Sequence, residues 1–199
     1  MYSLILDSAT KILYVALIND NKVAYETYIE GSNDHAKNIV FRVNEALDTA
    51  GIKAKDLDEI ICGVGPGSYT GVRMAVTVAK MLSIFMKKPL YTISTLKLIS
   101  SSNKGICLSM IDARRSNAFG CIIDNDRNEY LIPEALYSKE YLENEASKYE
   151  NVGRAKEDEF KVDPLYVLAN KVKVSEPHLL VPNYLRETEA ERNLHDKKN

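Results

Sequence analysis

The sequence has no long apolar run and no cysteines spaced as metal ligands. No uninterrupted apolar stretch approaches the roughly 18 residues that suggest a membrane span, so we expect none. The sequence has three cysteines, an odd number, at Cys62, Cys107 and Cys121. They lack CxxC spacing and lie inside apolar segments. They are therefore predicted to be reduced thiols in the core of a cytosolic protein.

An excess of basic residues is also missing. The 199 residues include 26 basic and 28 acidic ones, for a net charge of −2. Binding of bare nucleic acid needs a dense cationic surface, so this balance argues against it and leaves open a role beside a protein that holds RNA. Asp7, Thr10 and Lys11 interrupt the apolar start and no basic segment precedes it. We therefore expect no signal peptide and a cytoplasmic location.

The first half of the chain alternates between strand and helix patterns. Strands separated by polar turns are predicted over residues 3–7, 12–18 and 23–29. Asp34 is a candidate N-cap and Gly51 a stop signal for a helix over 35–50. The remaining elements are a strand over 60–64, a helix over 72–86, a strand over 89–93 and a helix over 95–102.

The opening pattern returns after a polar seam at residues 100–105. SMID at 109–112 resembles LILD at 4–7, and each is followed by a polar turn and an apolar strand, over 118–123 in the second case. Further predicted segments are helices over 138–149 and 164–171 and a charged, frayed end from Glu187. We predict a duplicated α/β unit with lobes at residues 1–102 and 103–199, the second less regular.

Two strand–Asp–turn–strand units suggest the actin/Hsp70/sugar-kinase class of fold. In that class two such turns face each other across a cleft and hold phosphates with backbone amides. Asp7, Thr10, Asp112 and Arg114 would then belong to a nucleotide site. Neither turn contains glycine, and the nine glycines include no adjacent pair, although close approach to phosphate favours glycine. A degraded nucleotide site is predicted, with strand-end caps as the alternative for both aspartates.

A glycine-rich loop lies between the strand over 60–64 and the helix over 72–86. It reads GPGSYTGVR at 65–73 and comprises Gly65, Pro66, Gly67, Ser68, Tyr69, Thr70 and Gly71 before Val72 and Arg73. A helix N-terminus favours anions. No Lys-Ser/Thr pair follows the last glycine, and the GxGxxG spacing fails. On these residues alone, an anion site and a tight strand-to-helix turn are both open.

The nine-residue loop resembles the signature of the bacterial TsaB (YeaZ) family, part of the machinery that forms threonylcarbamoyladenosine (t6A) in tRNA. Shorter matches occur in the family's order: the turn at 7–10, S-T-L at 94–96, I-D-A-R at 111–114 and P-x-Y-L-R at 182–186. Ser8 and Ala9 depart from the family's D-T-S-T turn. This departure lowers the expectation of phosphate binding there.

The resemblance implies a two-lobed Hsp70/actin-like fold and a scaffold subunit without catalytic residues. The implied partners are a TsaD-like catalytic subunit, a TsaE-like ATPase, tRNA through the complex only, and a second copy when the chain is alone, with no membrane. ATP or ADP and a metal would belong to those partners, with no cofactor bound by this chain alone. TsaD-like proteins hold a metal through an HxxxH pair, which His35, His178 and His195 cannot form.

The two long helices of the first lobe carry the predicted interface. The helix over 72–86 is apolar around more of its circumference than packing on a sheet requires. In the family, these helices pair with TsaD or with a second TsaB copy. The predicted interface residues are Lys37, Phe41, Asn44, Arg73, Val76, Thr77 and Lys80. Cover by the second lobe or by a loop is the alternative for Phe41, and Arg73 could instead cap a neighbouring helix.

An autonomous ATP-dependent sugar or acyl kinase is the alternative function. It is based on the paired Asp turns, and the absence of glycine from both turns counts against it. A glycoprotease finds no support, because the sequence has no HExxH motif and no His-Cys or Ser-His-Asp set that local spacing recommends. His35, at a helix start, is interpreted as a surface or capping residue.

Overall fold

An antiparallel meander of three strands opens the fold. It consists of β1 (Tyr2–Asp7), β2 (Ile12–Asn19) and β3 (Lys22–Glu30). β1 and β2 are buried almost throughout, because both faces of the sheet are covered there, whereas β3 is a partly exposed edge strand. The computed structural model describes residues 1–30 and 35–185, apart from the side chains of 35–37. Asp34, Arg186 and the charged segment from Glu187 lie outside the described residues.

Alternating helices and parallel strands extend the first sheet beyond the meander. The elements are α1 (His35–Thr49), β4 (Glu59–Gly63), α2 (Tyr69–Met86), β5 (Leu90–Ile93) and α3 (Thr95–Ser100). β4 pairs in parallel with β1, and β5 pairs in parallel with β4. Leu4 and Leu6 point to the face covered by α1 and α2, while Ile5 points to the opposite face, as strand alternation requires.

The second sheet repeats this order in shorter form. The elements are β6 (Ile106–Asp112), β7 (Asn117–Asp124), β8 (Glu129–Ser138), α4 (Lys139–Ala146), β9 (Gly153–Lys156) and α5 (Pro164–Asn170). A meander is again followed by a helix and by a strand parallel to the first one, here β9 beside β6. The predicted fold class, two mixed sheets with helices and a reduced second lobe, is confirmed.

The hydrophobic core forms three clusters around the two sheets. One lies between the first sheet and α1 and α2, and another lies between the second sheet and α4. The third joins both sheets with α3 and α5. Cys62, Cys107 and Cys121 are buried and free, as predicted for core residues. The two lobes are therefore connected through shared apolar packing.

The chain returns to the first sheet after α5, which the predicted division at residues 102 and 103 misses. β10 (Val172–Lys173) pairs antiparallel with β5, so the first sheet has the order β10-β5-β4-β1-β2-β3. β8, β9 and β10 were not predicted as strands. Short 3-10 helices occur at Ala54–Asp56 and Pro177–Leu179.

Within the described parts of the chain, no helix is both long and apolar enough to cross a membrane.

Candidate functional site

The first Asp turn is buried and bonded internally. Asp7 is 1% exposed, and its carboxylate accepts hydrogen bonds from Thr95 Oγ1 at 2.6 Å and from the Ala9 amide at 2.8 Å. The Thr95 hydroxyl also accepts from the Gly65 amide at 3.0 Å. Burial raises the pKa of Asp7, and the two hydrogen bonds oppose that rise. Asp7 therefore joins β1 to the glycine-rich loop and to the start of α3.

The glycine-rich loop fills the space beside this turn. The Ser68 amide donates to Ala9 O at 2.7 Å, and Ser8 Oγ donates to Gly71 O at 2.7 Å. A Cβ on Gly67 would lie 2.2 Å from Ala9 O, and one on Gly71 would lie 1.9 Å from Ser8 O. Only glycine allows so close an approach of two backbones. The first turn consequently does not fit a phosphate group, because the loop of the same chain lies against it.

Thr10 closes the first turn onto itself. Its hydroxyl donates to Ile12 O at 2.9 Å and accepts from the Ile12 amide at 3.1 Å. Sequence analysis left two interpretations of the glycine-rich loop, an anion site and a tight strand-to-helix turn. The structure shows the tight turn, and the last part of the loop is already helical. α2 begins at Tyr69, three residues before the predicted start at 72, because Ser68 caps it by accepting from the Gly71 amide at 3.3 Å.

The second Asp turn opens onto solvent. Asp112 is exposed and forms an ion pair with Lys139 at 2.7 Å, which lowers the pKa of the Asp112 carboxyl. Arg114, Arg115 and Ser116 all adopt left-handed backbone conformations, with φ of 65°, 51° and 62°. Such φ values are costly for residues other than glycine.

A cleft of about 450 Å³ adjoins the second turn. Lys11 reaches across it to Glu157 at 2.8 Å and to Asp158 at 3.1 Å, and Asp112 lines it while Asp7 does not. The structure thus does not bring the two aspartates together around one cleft. In the described part of the chain, no group of three or more His, Cys, Asp or Glu side chains is placed to hold a metal ion.

α2 exposes a stripe of large side chains on the face away from the sheet. The exposed positions recur every four residues, at Tyr69, Arg73, Thr77, Met81 and Phe85. Met81 is 52% exposed and Phe85 is 73% exposed. Each residue of the row lies one turn from the next, and the row winds around α2 by about 40° per step. We call these five residues the α2 stripe.

α1 extends this surface. Phe41 is 57% exposed, which excludes the alternative that the second lobe covers it. Arg42 lies over the Phe41 ring at 5.2 Å, and Asn44 is exposed on the same helix. An apolar groove of about 420 Å³ lies between the two helices, with Ile39 on one side and Met74 and other α2 residues on the other.

Some of the predicted interface residues do not lie on this surface. Val76 is 3% exposed and packs in the core between α2 and the sheet, so its prediction as an interface residue is wrong. Lys80 is half-buried and donates to His178 O at 2.8 Å and to Leu180 O at 3.0 Å. The Lys37 side chain lies outside the described residues.

Arg73 contacts neither a helix end nor a carboxylate of the described residues. Its guanidinium donates to Tyr69 Oη at 2.7 Å and lies 5.3 Å from the centre of that ring. Tyr184 stacks on Tyr69 with ring centres 5.3 Å apart. Sequence reasoning did not place Tyr184 at this surface, although the closing P-x-Y-L-R match contains it.

The two mixed sheets, each begun by a strand–Asp–turn–strand unit, define a protein of the two-lobed actin/Hsp70/sugar-kinase class. Two solved structures share the fold over nearly all of the chain. YeaZ from Pseudomonas aeruginosa superposes with a TM-score of 0.73 at 21% identity, covering 92% of this chain and 99% of that one. An uncharacterized protein with similarity to peptidase YeaZ from the same organism gives 0.75 at 22% identity, covering 93% and 99%.

Sequence comparison identifies the family to which the chain belongs within this fold class. The family profile described as TsaD, tRNA N6-adenosine threonylcarbamoyltransferase, matches residues 29–162. The tRNA threonylcarbamoyladenosine biosynthesis protein TsaB of Bacillus subtilis is 27% identical over 96% of both chains. TsaB of Escherichia coli is 30% identical over 64% of this chain and 57% of that protein. The chain belongs to the TsaD-type family and, with these relatives, to its TsaB (YeaZ) group.

Proposed function

We propose that this chain is a non-catalytic scaffold subunit of the t6A machinery and pairs with a TsaD-like catalytic protein through α1 and the α2 stripe. The observation that carries the proposal is the row of exposed side chains on α2 together with the exposed Phe41 on α1, the helix that packs beside α2. The relatives are named as biosynthesis proteins of this tRNA modification, and the matching family is named for the transferase itself.

The assembled complex transfers a threonylcarbamoyl group from its AMP adduct to adenosine 37 of tRNAs that read A-starting codons. A TsaE-like ATPase joins the complex, and this chain reaches tRNA only through it, in the cytoplasm and away from membranes. ATP or ADP and the metal belong to the partners, while this chain alone holds no cofactor. Without its partner, the same surface pairs with a second copy.

The magnitude of apolar burial supports pairing at this surface. Full burial of a large apolar side chain stabilises by about 1.5 to 3 kcal/mol, and Phe41, Met81 and Phe85 are all more than half exposed in the isolated chain. Burying all three would offset a substantial part of the cost of association, which is about 4 to 15 kcal/mol. Contiguous exposed apolar surface marks interaction sites, and the apolar groove between α1 and α2 adjoins the α2 stripe at Tyr69, Arg73 and Thr77.

The geometry of the first turn supports a scaffold more than a kinase. The backbone that would hold a phosphate is packed against Gly67 and Gly71, and the carboxylate of Asp7 is occupied by Thr95 and Ala9. Calorimetry with ATP and magnesium on the isolated chain tests this. We expect no binding, and clear micromolar affinity would instead favour the kinase function. Formation of t6A by the purified chain alone would contradict the non-catalytic role.

The partner surface is tested by placing a charge on it. We expect Phe41→Asp and Met81→Asp each to weaken binding of the TsaD-like protein about thirtyfold or more, because loss of a central anchor costs about 2 kcal/mol or more. Both side chains are exposed, so the variants should fold. Val23→Asp, at an equally exposed position on β3, is the matched control. Titration on a sizing column, with circular dichroism, measures the outcome; full binding by both folded variants would refute this surface.

A further inference from the structure

An aromatic and cationic cluster lies at the N-terminal end of the α2 stripe. It consists of Tyr69, Arg73 and Tyr184, in which the Arg73 guanidinium and the Tyr184 ring each contact Tyr69. All three side chains are exposed. Tyr69 and Arg73 also line the apolar groove between α1 and α2, together with Met74, Thr77 and Val78. A polar group that binds at this cluster therefore sits beside an apolar side chain that enters the groove.

Tyr184 reaches the cluster through the C-terminal segment, residues 171–184, which we call the strap. The strap begins at the largely buried ion pair of Lys171 with Glu59 and continues through β10. It then crosses α2, where Lys80 bonds two of its carbonyls, and the Asn183 amide donates to Val64 O at 2.8 Å. These anchors fix the backbone next to Tyr184. The cluster is thus held on both sides, by α2 and by the strap.

Arg73 carries a positive charge without an acidic partner among the described residues. One guanidinium nitrogen bonds Tyr69 Oη, and none of the ion pairs of the described chain involves Arg73. The guanidinium also interacts with the Tyr184 side chain, and its planar fork has further N–H groups that can donate to a carboxylate. α2 contains no Asp or Glu at all, so its exposed face is apolar and basic.

Charge favours a different protein over a second copy at this point. In a two-fold contact the same surface meets itself, so α2 helices that cross near Arg73 would bring two guanidinium groups together. Like charges in contact cost free energy, whereas a carboxylate on the partner would pair with the further N–H groups of the fork. The complementary partner therefore presents an acidic residue next to a large apolar one.

We propose that the Tyr69–Arg73–Tyr184 cluster is the polar anchor of the partner surface and binds a carboxylate of the TsaD-like protein, beside an apolar side chain of that protein in the groove. The proposal rests on the proposed function and specifies its partner chemistry. Tyr184 acts as a positioning residue, because its ring packs on Tyr69 and limits where that ring, and the guanidinium bonded to it, can move.

The test measures affinity for the TsaD-like protein as salt is raised from about 0.05 M to about 0.5 M, a range over which exposed charge pairs are progressively screened. We expect wild-type affinity to fall with salt and Arg73→Gln to bind at least about tenfold more weakly at low salt, with most of the salt dependence lost. Arg73→Lys should fall between them, since it keeps the charge but loses the fork. Tyr184→Leu should weaken binding more than Tyr184→Phe does, because Tyr184→Phe keeps the ring and loses only the hydroxyl that interacts with Arg73.

Three outcomes would overturn the proposal. The first is wild-type binding by folded Arg73→Gln while Phe41→Asp and Met81→Asp lose binding; the proposed function would then stand and only the anchor would fail. If those two variants also bind fully, the whole surface is wrong. The second is loss of self-association in Arg73→Gln, measured by sedimentation, with partner binding unchanged, which would assign the cluster to a second copy.

The third outcome concerns the chain's own acidic residues. Glu187, Glu189 and Glu191 follow Tyr184 in the sequence and are carboxylates of the same chain. We expect the Arg73→Gln penalty to persist in a chain that ends at residue 186. Disappearance of the penalty in that shortened chain would assign the carboxylate to the chain itself and overturn the proposal.

Discussion

The two Asp turns follow strands of similar sequence but have opposite surroundings. The turn at Asp7 is buried under the glycine-rich loop, and its carboxylate is fully engaged with Thr95 and Ala9. The turn at Asp112 faces solvent, and its carboxylate pairs with Lys139. The difference comes from the segment after the parallel strand: residues 65–71 bury the first turn, whereas after β9 the Glu157 carboxylate accepts from the Asp112 amide and leaves the Asp112 side chain exposed. A repeated local pattern therefore acquires its role from the segment that packs on it.

The largest expected effect comes from forcing the loop away from the first turn. Gly71→Ala should lower the free energy of unfolding by about 2 to 4 kcal/mol, because its Cβ would lie 1.9 Å from Ser8 O and the backbone would have to move. Gly51→Ala is the control. Its Cβ meets nothing within 4 Å, so the only cost comes from the left-handed φ of 66° and is about 1 kcal/mol. Urea denaturation gives both values, and equal costs would mean that the loop does not pack on the turn.

A smaller effect is expected from removing the two carboxylates. Asp7→Ala should destabilise by about 1 to 3 kcal/mol, because it leaves buried donors on Thr95 and Ala9 unpaired. Asp112→Ala removes an exposed ion pair and should cost less than about 1 kcal/mol. Thermal and urea unfolding of both variants measures the difference. The contrast between the turns breaks down if Asp112→Ala proves to be the more damaging change.

The smallest expected effect is the pH dependence of the stability contributed by Asp7 and Asp112. The two contributions are expected to change with pH in opposite directions. The pKa of Asp7 is raised above its ordinary value of 3.8, so its contribution to stability is complete below pH 3.8 and is lost as pH rises through the raised pKa. The pKa of Asp112 is lowered from 3.8, so its contribution is present above pH 3.8 and is lost as pH falls through the lowered pKa.

The two slopes are measured by urea unfolding of wild type, Asp7→Asn and Asp112→Asn from acid to neutral pH. We expect the stability of wild type relative to Asp7→Asn to decrease as pH rises, and that relative to Asp112→Asn to increase. Slopes of the same sign for both pairs would show that the two carboxyl groups share one kind of environment.

Local patterns in the sequence were sufficient to predict most of the first lobe. β1, β2, β3 and α1 were each predicted to within one residue at either end, because period-two and helical periodicities are strong there and polar turns separate the elements. Cys62, Cys107 and Cys121 were correctly assigned to the core for the same local reason. The glycine-rich loop also identified the family, which the comparisons confirm.

What the sequence did not reveal depends on contacts between distant residues. α2 is apolar around most of its circumference, so periodicity could not decide which side faces the sheet, and Val76 was placed on the wrong one. The Lys80 contacts with the strap and the Lys171–Glu59 pair join residues about a hundred positions apart and leave no local signal. The burial of Asp7 depends likewise on Thr95, far along the chain.

The strap also sets the order in which a newly made chain can become competent for assembly. Translation delivers the N-terminus first, and domains generally fold as they are made. Both sheets can form before residues 171–184 leave the ribosome, but β10 and Tyr184 are then still missing from the first lobe. The Tyr69–Arg73–Tyr184 cluster is complete only when Tyr184 is present, so an unfinished chain would carry α2 without the full surface that we propose for partner binding.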